Sequence, residues 1–207
     1  MRIDRAGFPF IAASLVPAVV LAALRHPGVA VPFLALGGAF AFFFRDPDRQ
    51  VPRRPGGVIA PADGKVMVAG DPEPGVAPPG EWQQFSVFLS PLNVHVNRVP
   101  VSGRIVRIDY RPGRYAPAYR AEASTQNERN ELWIEHEGRS VVCRQITGVL
   151  VRRVVCRLQE GMMVEAGDRF GIMKFGSRVD LFLPREAKLL VGAGSRVRGG
   201  ETVVASL

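Results

Sequence analysis

Two β-strand patterns flank a glycine-serine pair in the stretch RFGIMKFGSRVDLFL, residues 169–183. Short runs of β-branched and aromatic residues are typical of strands, so we predict strands at Arg169–Met173 and Val179–Leu183. Gly176 has no Cβ atom, so its carbonyl can adopt a strained conformation and be approached closely by a neighbouring hydroxyl. The Gly176-Ser177 peptide is therefore a candidate for backbone cleavage by its own serine.

Similar strand patterns continue upstream and downstream of this stretch. They alternate with Gly- and Pro-rich turns, and no amphipathic helical pattern of a dozen residues competes with them. We therefore predict a mainly β catalytic domain over residues 58–207, with a barrel-like or sandwich-like architecture. The other predicted strands are Lys65–Ala69, Phe85–Leu89, Val94–Val99, Arg104–Tyr110, Glu131–Glu135, Ser140–Ile146, Val151–Leu158 and Thr202–Ala205.

The N-terminal region contains two uncharged apolar runs, residues 8–24 and 29–44. Each is at or just under the length that spans a hydrocarbon core of about 30 Å. We predict that residues 1–44 form a two-helix membrane anchor, followed by an Arg-, Pro- and Gly-rich linker at residues 45–57. Arginines flank both ends of the anchor, which predicts a catalytic domain on the cytoplasmic side of the cell membrane. Two buried helices of a soluble domain are the alternative, and the pattern leaves open whether the hairpin spans or only enters the bilayer.

The formal net charge of +8 is compatible with binding to nucleic acid or to an anionic membrane surface. The arginines are scattered among apolar residues rather than interleaved with exposed aromatic residues, so we predict no nucleic-acid partner. An anionic leaflet attracts a basic protein by about 1 kcal/mol for each nearby Lys or Arg. Cys143 and Cys156 lie in apolar runs without a histidine at ligand spacing. We predict that both thiols are reduced and that the chain has no metal site.

Two further motifs lie upstream of the glycine-serine pair: APADGKV at residues 60–66 and FLSPLNVHVNRVP at residues 88–100. Together with FGSR at residues 175–178, and in this order, they resemble the phosphatidylserine decarboxylase family, especially its short membrane-associated bacterial form. The segments FFRDP at residues 43–47 and NER at residues 127–129 extend the resemblance over about the whole chain.

The resemblance implies a proenzyme that cleaves itself between Gly176 and Ser177. The products would be a large chain, residues 1–176, and a small chain, residues 177–207, which stay together as a heterodimer. Ser177 would become a covalent pyruvoyl group, the only cofactor, which forms a Schiff base with the substrate phosphatidylserine. The products of the reaction would be phosphatidylethanolamine and CO₂, as in phospholipid biosynthesis.

A serine hydroxyl is a weak nucleophile at neutral pH and needs a nearby base. His95 lies between two valines in an apolar strand pattern, where an inward-facing ring requires a polar partner. Asp63, in a Pro-x-Asp-Gly turn, is the natural partner. With the family resemblance, we predict that Asp63 orients His95 and that His95 takes the proton from Ser177, as in a serine hydrolase triad. Longer family members carry a second histidine three positions after the first, where this chain has Arg98.

Two other functional classes are compatible with parts of the pattern. A membrane-tethered Ser-His-Asp hydrolase would use the same three residues, but the chain lacks a Gly-x-Ser-x-Gly motif and a hydrolase would remain uncleaved. A noncatalytic membrane-anchored β-barrel module would account for the composition but not for three motifs in family order. The sequence leaves open the headgroup contacts, the residue that reprotonates the decarboxylated intermediate, and assembly into a homo-oligomer.

Overall fold

A computed structural model describes residues 1–149, 154–174 and 176–207. Phe175, from the FGSR motif, and residues 151–153 of the predicted strand Val151–Leu158 lie outside the described residues. The chain divides into two compact units, Met1–Asp48 and Arg49–Leu207.

The first unit is built around two apolar helices, α1 at Phe8–Ala23 and α2 at Pro27–Phe43. They pack on each other where Gly37 receives the side chain of Leu15 and where the rings of Phe10 and Phe40 lie 5.5 Å apart. A one-turn 3-10 helix at Arg5–Gly7 precedes α1, and the short strands β1 (Arg2–Ile3) and β2 (Arg45–Asp46) pair antiparallel.

The first helical segment is apolar on all sides. Residues Arg5–Ala23 have a mean hydropathy of 2.0 over an 18-residue window, only 17% of which is buried. Helix α2 is also apolar, and its 17 residues are fewer than the 19 of the continuous segment Arg5–Ala23. A helix that is apolar all round and is not covered by protein suits a lipid environment, so Arg5–Ala23 is long and apolar enough to serve as a membrane anchor.

The second unit is mainly β, as predicted, and each predicted strand overlaps an observed one. The bounds of Arg169–Met173 are as predicted, whereas the other strands differ from prediction at one or both ends. The described elements of the unit are β3 (Gly57–Ile59), β4 (Gly64–Gly70), β5 (Trp82–Leu89), β6 (Val96–Arg98), β7 (Gly103–Arg111), α3 (Ala123–Gln126), β8 (Arg129–His136), β9 (Arg139–Ile146), β10 (Val154–Cys156), β11 (Met163–Val164), β12 (Arg169–Met173), β13 (Ser177–Pro184), β14 (Lys188–Leu189), β15 (Arg196–Val197) and β16 (Val203–Ser206).

The described strands of this unit form three antiparallel sheets. The large sheet has eight strands in the order β11-β7-β8-β9-β13-β5-β4-β15, and the two small sheets have three strands each, β10-β12-β6 and β14-β16-β3. In the described part of the chain the large sheet is open, so the architecture is sandwich-like rather than a closed barrel.

Strand β13 lies inside the large sheet, between β5 and β9, and both of its faces are buried. Alternate side chains of a strand point to opposite faces. Val179 and Leu181 accordingly join the main hydrophobic core, whereas Phe182 packs in a second cluster with Trp82 and Val142. The strand therefore fixes the residue at its start, Ser177, from both sides of the sheet.

Candidate active site

Ser177 is the first residue of β13 and pairs with Leu89 of β5. Its side chain is fully buried. Gly176, directly before it, has a φ of +69°, a conformation that residues with a Cβ rarely adopt. Among the described residues other than its chain neighbours, no heavy atom lies within 4 Å of the position that a Cβ would take at Gly176. The positive φ, rather than crowding by those residues, therefore favours glycine at this position.

His95 lies directly before β6 and faces the predicted cleavage site. Its Nδ1 is 3.0 Å from the carbonyl oxygen of Asn93, and its Nε2 accepts the N–H of Gly176 at 3.4 Å. A carbonyl oxygen can only accept a hydrogen bond, so this arrangement assigns the proton of the neutral ring to Nδ1. The lone pair of Nε2 is therefore directed at the backbone next to Ser177, as a general base requires.

Asp63 has different partners from those predicted. Its carboxylate accepts two hydrogen bonds from Arg49 Nη2, at 2.8 and 3.0 Å, and one from the Gly199 amide at 2.8 Å. Hydrogen bonds between a guanidinium and a carboxylate are charge-assisted and about twice as strong as neutral ones. The described hydrogen bonds of Asp63 therefore do not go to His95.

Arg98, which stands where longer relatives have a second histidine, is also buried. Its Nη1 donates to the carbonyl oxygen of Gly167 at 3.1 Å. This contact ties β6 to the turn before β12.

A cavity of about 650 Å³ connects the Asp63 turn with the loop before His95. Its wall includes Asp63 and Asn93, and Asn93 is the residue whose carbonyl faces Nδ1 of His95. The remaining wall combines three cationic side chains with apolar ones. The lining residues are Asp63, Gly64, Lys65, Phe88, Ser90, Leu92, Asn93, Arg196, Val197 and Arg198.

Oγ of Ser177 and Nδ2 of Asn97, a residue close to His95 in the sequence, are buried and have no hydrogen-bond partner in the described part of the chain. Asn97 follows His95 by two residues, and its Oδ1 accepts a hydrogen bond of 2.7 Å from Gln145. Gln145 lies opposite Val179, on the same face of the sheet as Ser177. An unpaired buried polar group costs about 1–3 kcal/mol, and such groups are retained mainly where function requires them.

The opposite face of β13 carries a buried charge cluster. Nε of Arg178 pairs with Asp180 at 2.6 Å, and its Nη2 contacts Glu73 and Ser86. Burial lowers the pKa of the Arg178 guanidinium, but the adjacent Asp180 and Glu73 carboxylates outweigh this and raise it, so the side chain is cationic. The cluster continues from Asp180 through Ser124 to Arg144.

Asn127 and Glu128 organise the loops around the glycine-serine pair. Nδ2 of Asn127 donates to the carbonyls of Ala116 and Thr147, both at 2.8 Å. The carbonyl of Glu128 accepts from both the amide and the hydroxyl of Thr147 at 3.0 Å. The motif at residues 127–129 was noted in the sequence without a role, and the structure shows that its first two residues fix the end of β9.

Comparisons with known proteins match one family over most of the chain. The family model for phosphatidylserine decarboxylase matches residues 36–205. A phosphatidylserine decarboxylase proenzyme of Mycobacterium avium (strain 104) is 43% identical over 210 residues, covering 98% of this chain and 85% of the relative. Proenzymes of the same description from Paramagnetospirillum magneticum and Magnetococcus marinus are 42% and 39% identical, each over 99% of this chain and over 87% and 95% of the relative.

These matches place the chain among enzymes rather than binding modules. The chain belongs to the phosphatidylserine decarboxylase family. This membership confirms the lyase class predicted from the motifs, and it leaves the hydrolase and the noncatalytic module without support.

Proposed function

We propose that this chain is a self-processing decarboxylase that converts phosphatidylserine to phosphatidylethanolamine and CO₂. One observation carries the proposal: the basic Nε2 of His95 faces the Gly176 backbone, beside a buried Ser177 hydroxyl without a described partner. The 3.4 Å contact is long for a hydrogen bond, and we propose that during cleavage Nε2 accepts the Ser177 hydroxyl in its place.

Cleavage begins when Ser177 Oγ attacks the carbonyl carbon of Gly176 while His95 takes the hydroxyl proton. The bond from this carbon to the Ser177 nitrogen breaks, and the nitrogen receives the proton from His95, which leaves an ester. Removal of the Cα proton of Ser177 then breaks the Cβ–Oγ bond, giving a Gly176 carboxylate and a dehydroalanine. Its imine tautomer takes up water and loses ammonia, so that a ketone remains. Each step balances without an oxidant or a metal.

The residues around Ser177 fit the resulting pyruvoyl group. They supply a dry position on the core face of β13 and a histidine next to it. A pyruvoyl group at this position would supply a ketone for condensation with the amino group of the substrate and an acceptor for the electron pair released with CO₂. His95 is proposed to return a proton to the former α-carbon. Exclusion of water by the surrounding core favours loss of the carboxylate.

The role proposed for Asp63 is to orient His95 during cleavage. Support comes from the cavity that Asp63 shares with Asn93, the residue bonded to His95. To bind His95 directly, the carboxylate would have to exchange its pair with Arg49. The proposal therefore gives Asp63 two roles, the ion pair with Arg49 and the orientation of His95, and matched variants can distinguish them.

The cavity suits an amphiphilic anion. Lys65, Arg196 and Arg198 provide positive charge for a phosphodiester or carboxylate, and Phe88 and Leu92 provide apolar surface. We propose that the second unit acts at an anionic membrane surface on the cytoplasmic side, with the apolar helices as the anchor. The same basic surface favours association with acidic lipids.

The mass of the purified chain under denaturing conditions tests the proposal. We expect two chains, residues 1–176 and 177–207, the smaller beginning with a pyruvoyl group. Hydroxylamine, or borohydride added with phosphatidylserine, should inactivate the enzyme and increase the mass of the small chain. An active protein that remains one chain with an unmodified Ser177 would rule out this function and leave a hydrolase as the alternative.

A further inference from the structure

Gly148 lies against the carbonyl group that the proposed cleavage attacks. A Cβ atom built at Gly148 would be 2.2 Å from the carbonyl oxygen of Gly176 and 3.2 Å from its carbonyl carbon. The first distance is far inside van der Waals contact. A side chain at residue 148 and the present position of the Gly176 carbonyl are therefore mutually exclusive.

The backbone before Gly148 has little freedom to retreat. The amide and hydroxyl of Thr147 are bound by Glu128, and its carbonyl is bound by Asn127. All three side chains are buried. A methyl group at residue 148 would consequently displace the Gly176 carbonyl rather than the strand end.

Ala118 borders Gly148 on another side, and the backbone near Ala118 is also held in place. The Cβ atom of Ala118 would lie 3.4 Å from a Cβ at Gly148. Asn127 binds the amide and the carbonyl of Ala116, two residues earlier, at 2.9 and 2.8 Å. Gly148 thus lies in a narrow space between two hydrogen-bonded segments. Its backbone φ lies outside the positive range in which alanine is strained.

We propose that Gly148 is a positioning residue for self-cleavage: its missing side chain leaves the Gly176 carbonyl where Ser177 Oγ can attack it. The inference rests on the proposed cleavage between Gly176 and Ser177. Displacing a reacting group by about 1 Å can cost about 100-fold in rate. The requirement ends with cleavage, because Gly176 is then a free chain end.

The test compares Gly148→Ala with Gly103→Ala in the full chain. A Cβ at Gly103 would lie 2.1 Å from the carbonyl oxygen of Glu135, so this control introduces a backbone clash of similar distance, at a backbone φ of +159°. Gly103 is in β7, which β8 and β9 separate from β13. Conversion of freshly translated protein to two chains is timed on denaturing gels. Thermal unfolding is measured for both changes in a Ser177→Ala background, where no cleavage occurs.

We expect Gly148→Ala to slow cleavage by about 100-fold and Gly103→Ala by less than about threefold at comparable loss of thermal stability. Part of the Gly148→Ala protein will still cleave. In that fraction, the fold-loss in turnover per pyruvoyl group should be at least ten times smaller than the fold-loss in cleavage rate.

Three results would overturn the inference: cleavage of Gly148→Ala at the wild-type rate, equal losses in cleavage and in turnover per pyruvoyl group, or failure of Gly148→Ala to fold where Gly103→Ala folds. A wild-type chain that does not cleave would instead remove the proposed function.

Discussion

Nε2 of His95 accepts the N–H of Gly176 at 3.4 Å, although 81 residues separate them in the sequence. The carbonyl of Asn93 holds the opposite ring nitrogen. Together these contacts fix the tautomer in which the basic nitrogen points at the backbone of the proposed cleavage site. The arrangement makes His95 the first residue to test.

We expect His95→Ala to slow self-cleavage by at least about 100-fold, since general-base catalysis contributes about 10²–10⁴-fold. Ser177→Ala should abolish cleavage and activity together, because it removes the nucleophile. The measurement is conversion of freshly translated full-length protein to two chains. His136→Ala, at the partly buried end of β8, is the matched control, because this ring also contacts a backbone carbonyl, that of Ser102, and the variant should cleave normally. Processing of His95→Ala at the wild-type rate would limit His95 to the later proton transfer.

Asp63→Asn and Arg49→Met separate the two roles of the Asp63 carboxylate. If Asp63 orients His95, Asp63→Asn should slow cleavage by more than about tenfold while Arg49→Met does not, because members of a catalytic unit act together. Both chains would be assayed for cleavage rate and for thermal unfolding. Equal slowing by both substitutions would mean that Asp63 acts only through its pair with Arg49.

Arg178→Met should strongly destabilise the second unit. It leaves Asp180, which is fully buried, without its ion-pair partner, and breaking a buried pair costs about 3–5 kcal/mol. Urea unfolding in a Ser177→Ala background measures the change in free energy. Arg107→Met breaks a more exposed pair with Asp109 and should cost less than about 1 kcal/mol. Similar losses from the two substitutions would contradict a structural role for the Arg178 cluster.

The two thiols should resist modification in the folded protein. Burial raises the pKa of the Cys143 thiol. Burial is also the main cause of the raised pKa of the half-buried Cys156, so neither residue has much thiolate at pH 8. We expect Cys156 to react slowly with a disulfide reagent and Cys143 to react only on unfolding. Without reductant, the unfolded chain should titrate two thiols. Finding none would reveal a disulfide instead.

Reporter fusions test the anchor and its orientation. Because Arg5–Ala23 is uncharged beyond its first residue and mostly exposed, we expect it to cross the membrane. A fluorescent protein fused after Leu207 should be active in the cytoplasm, whereas alkaline phosphatase fused there should be inactive. Phosphatase fused after His26, between the helices, should be active if the hairpin spans the bilayer. The opposite behaviour at Leu207 would place the second unit outside the cytoplasm.

The sequence by itself determined the strands and the glycine-serine pair. Strand patterns such as Arg169–Met173 are local, because alternation and β-branched residues act over a few positions. Strand ends were less well predicted: β13 begins at Ser177 rather than at Val179, since tertiary pairing with Leu89 extends it. Gly176 could also be identified locally, because its positive φ is a property of one residue.

Only the tertiary structure decided which residues meet. Asp63 was paired with His95 on sequence order, but its carboxylate binds Arg49 and the Gly199 amide, which lies 136 residues away. The proximity of Gly148 to the Gly176 carbonyl left no local signal either. Such contacts follow from strand order and from loops closed by distant hydrogen bonds. Local patterns specify the elements of this protein, whereas the packing of those elements positions the atoms that react.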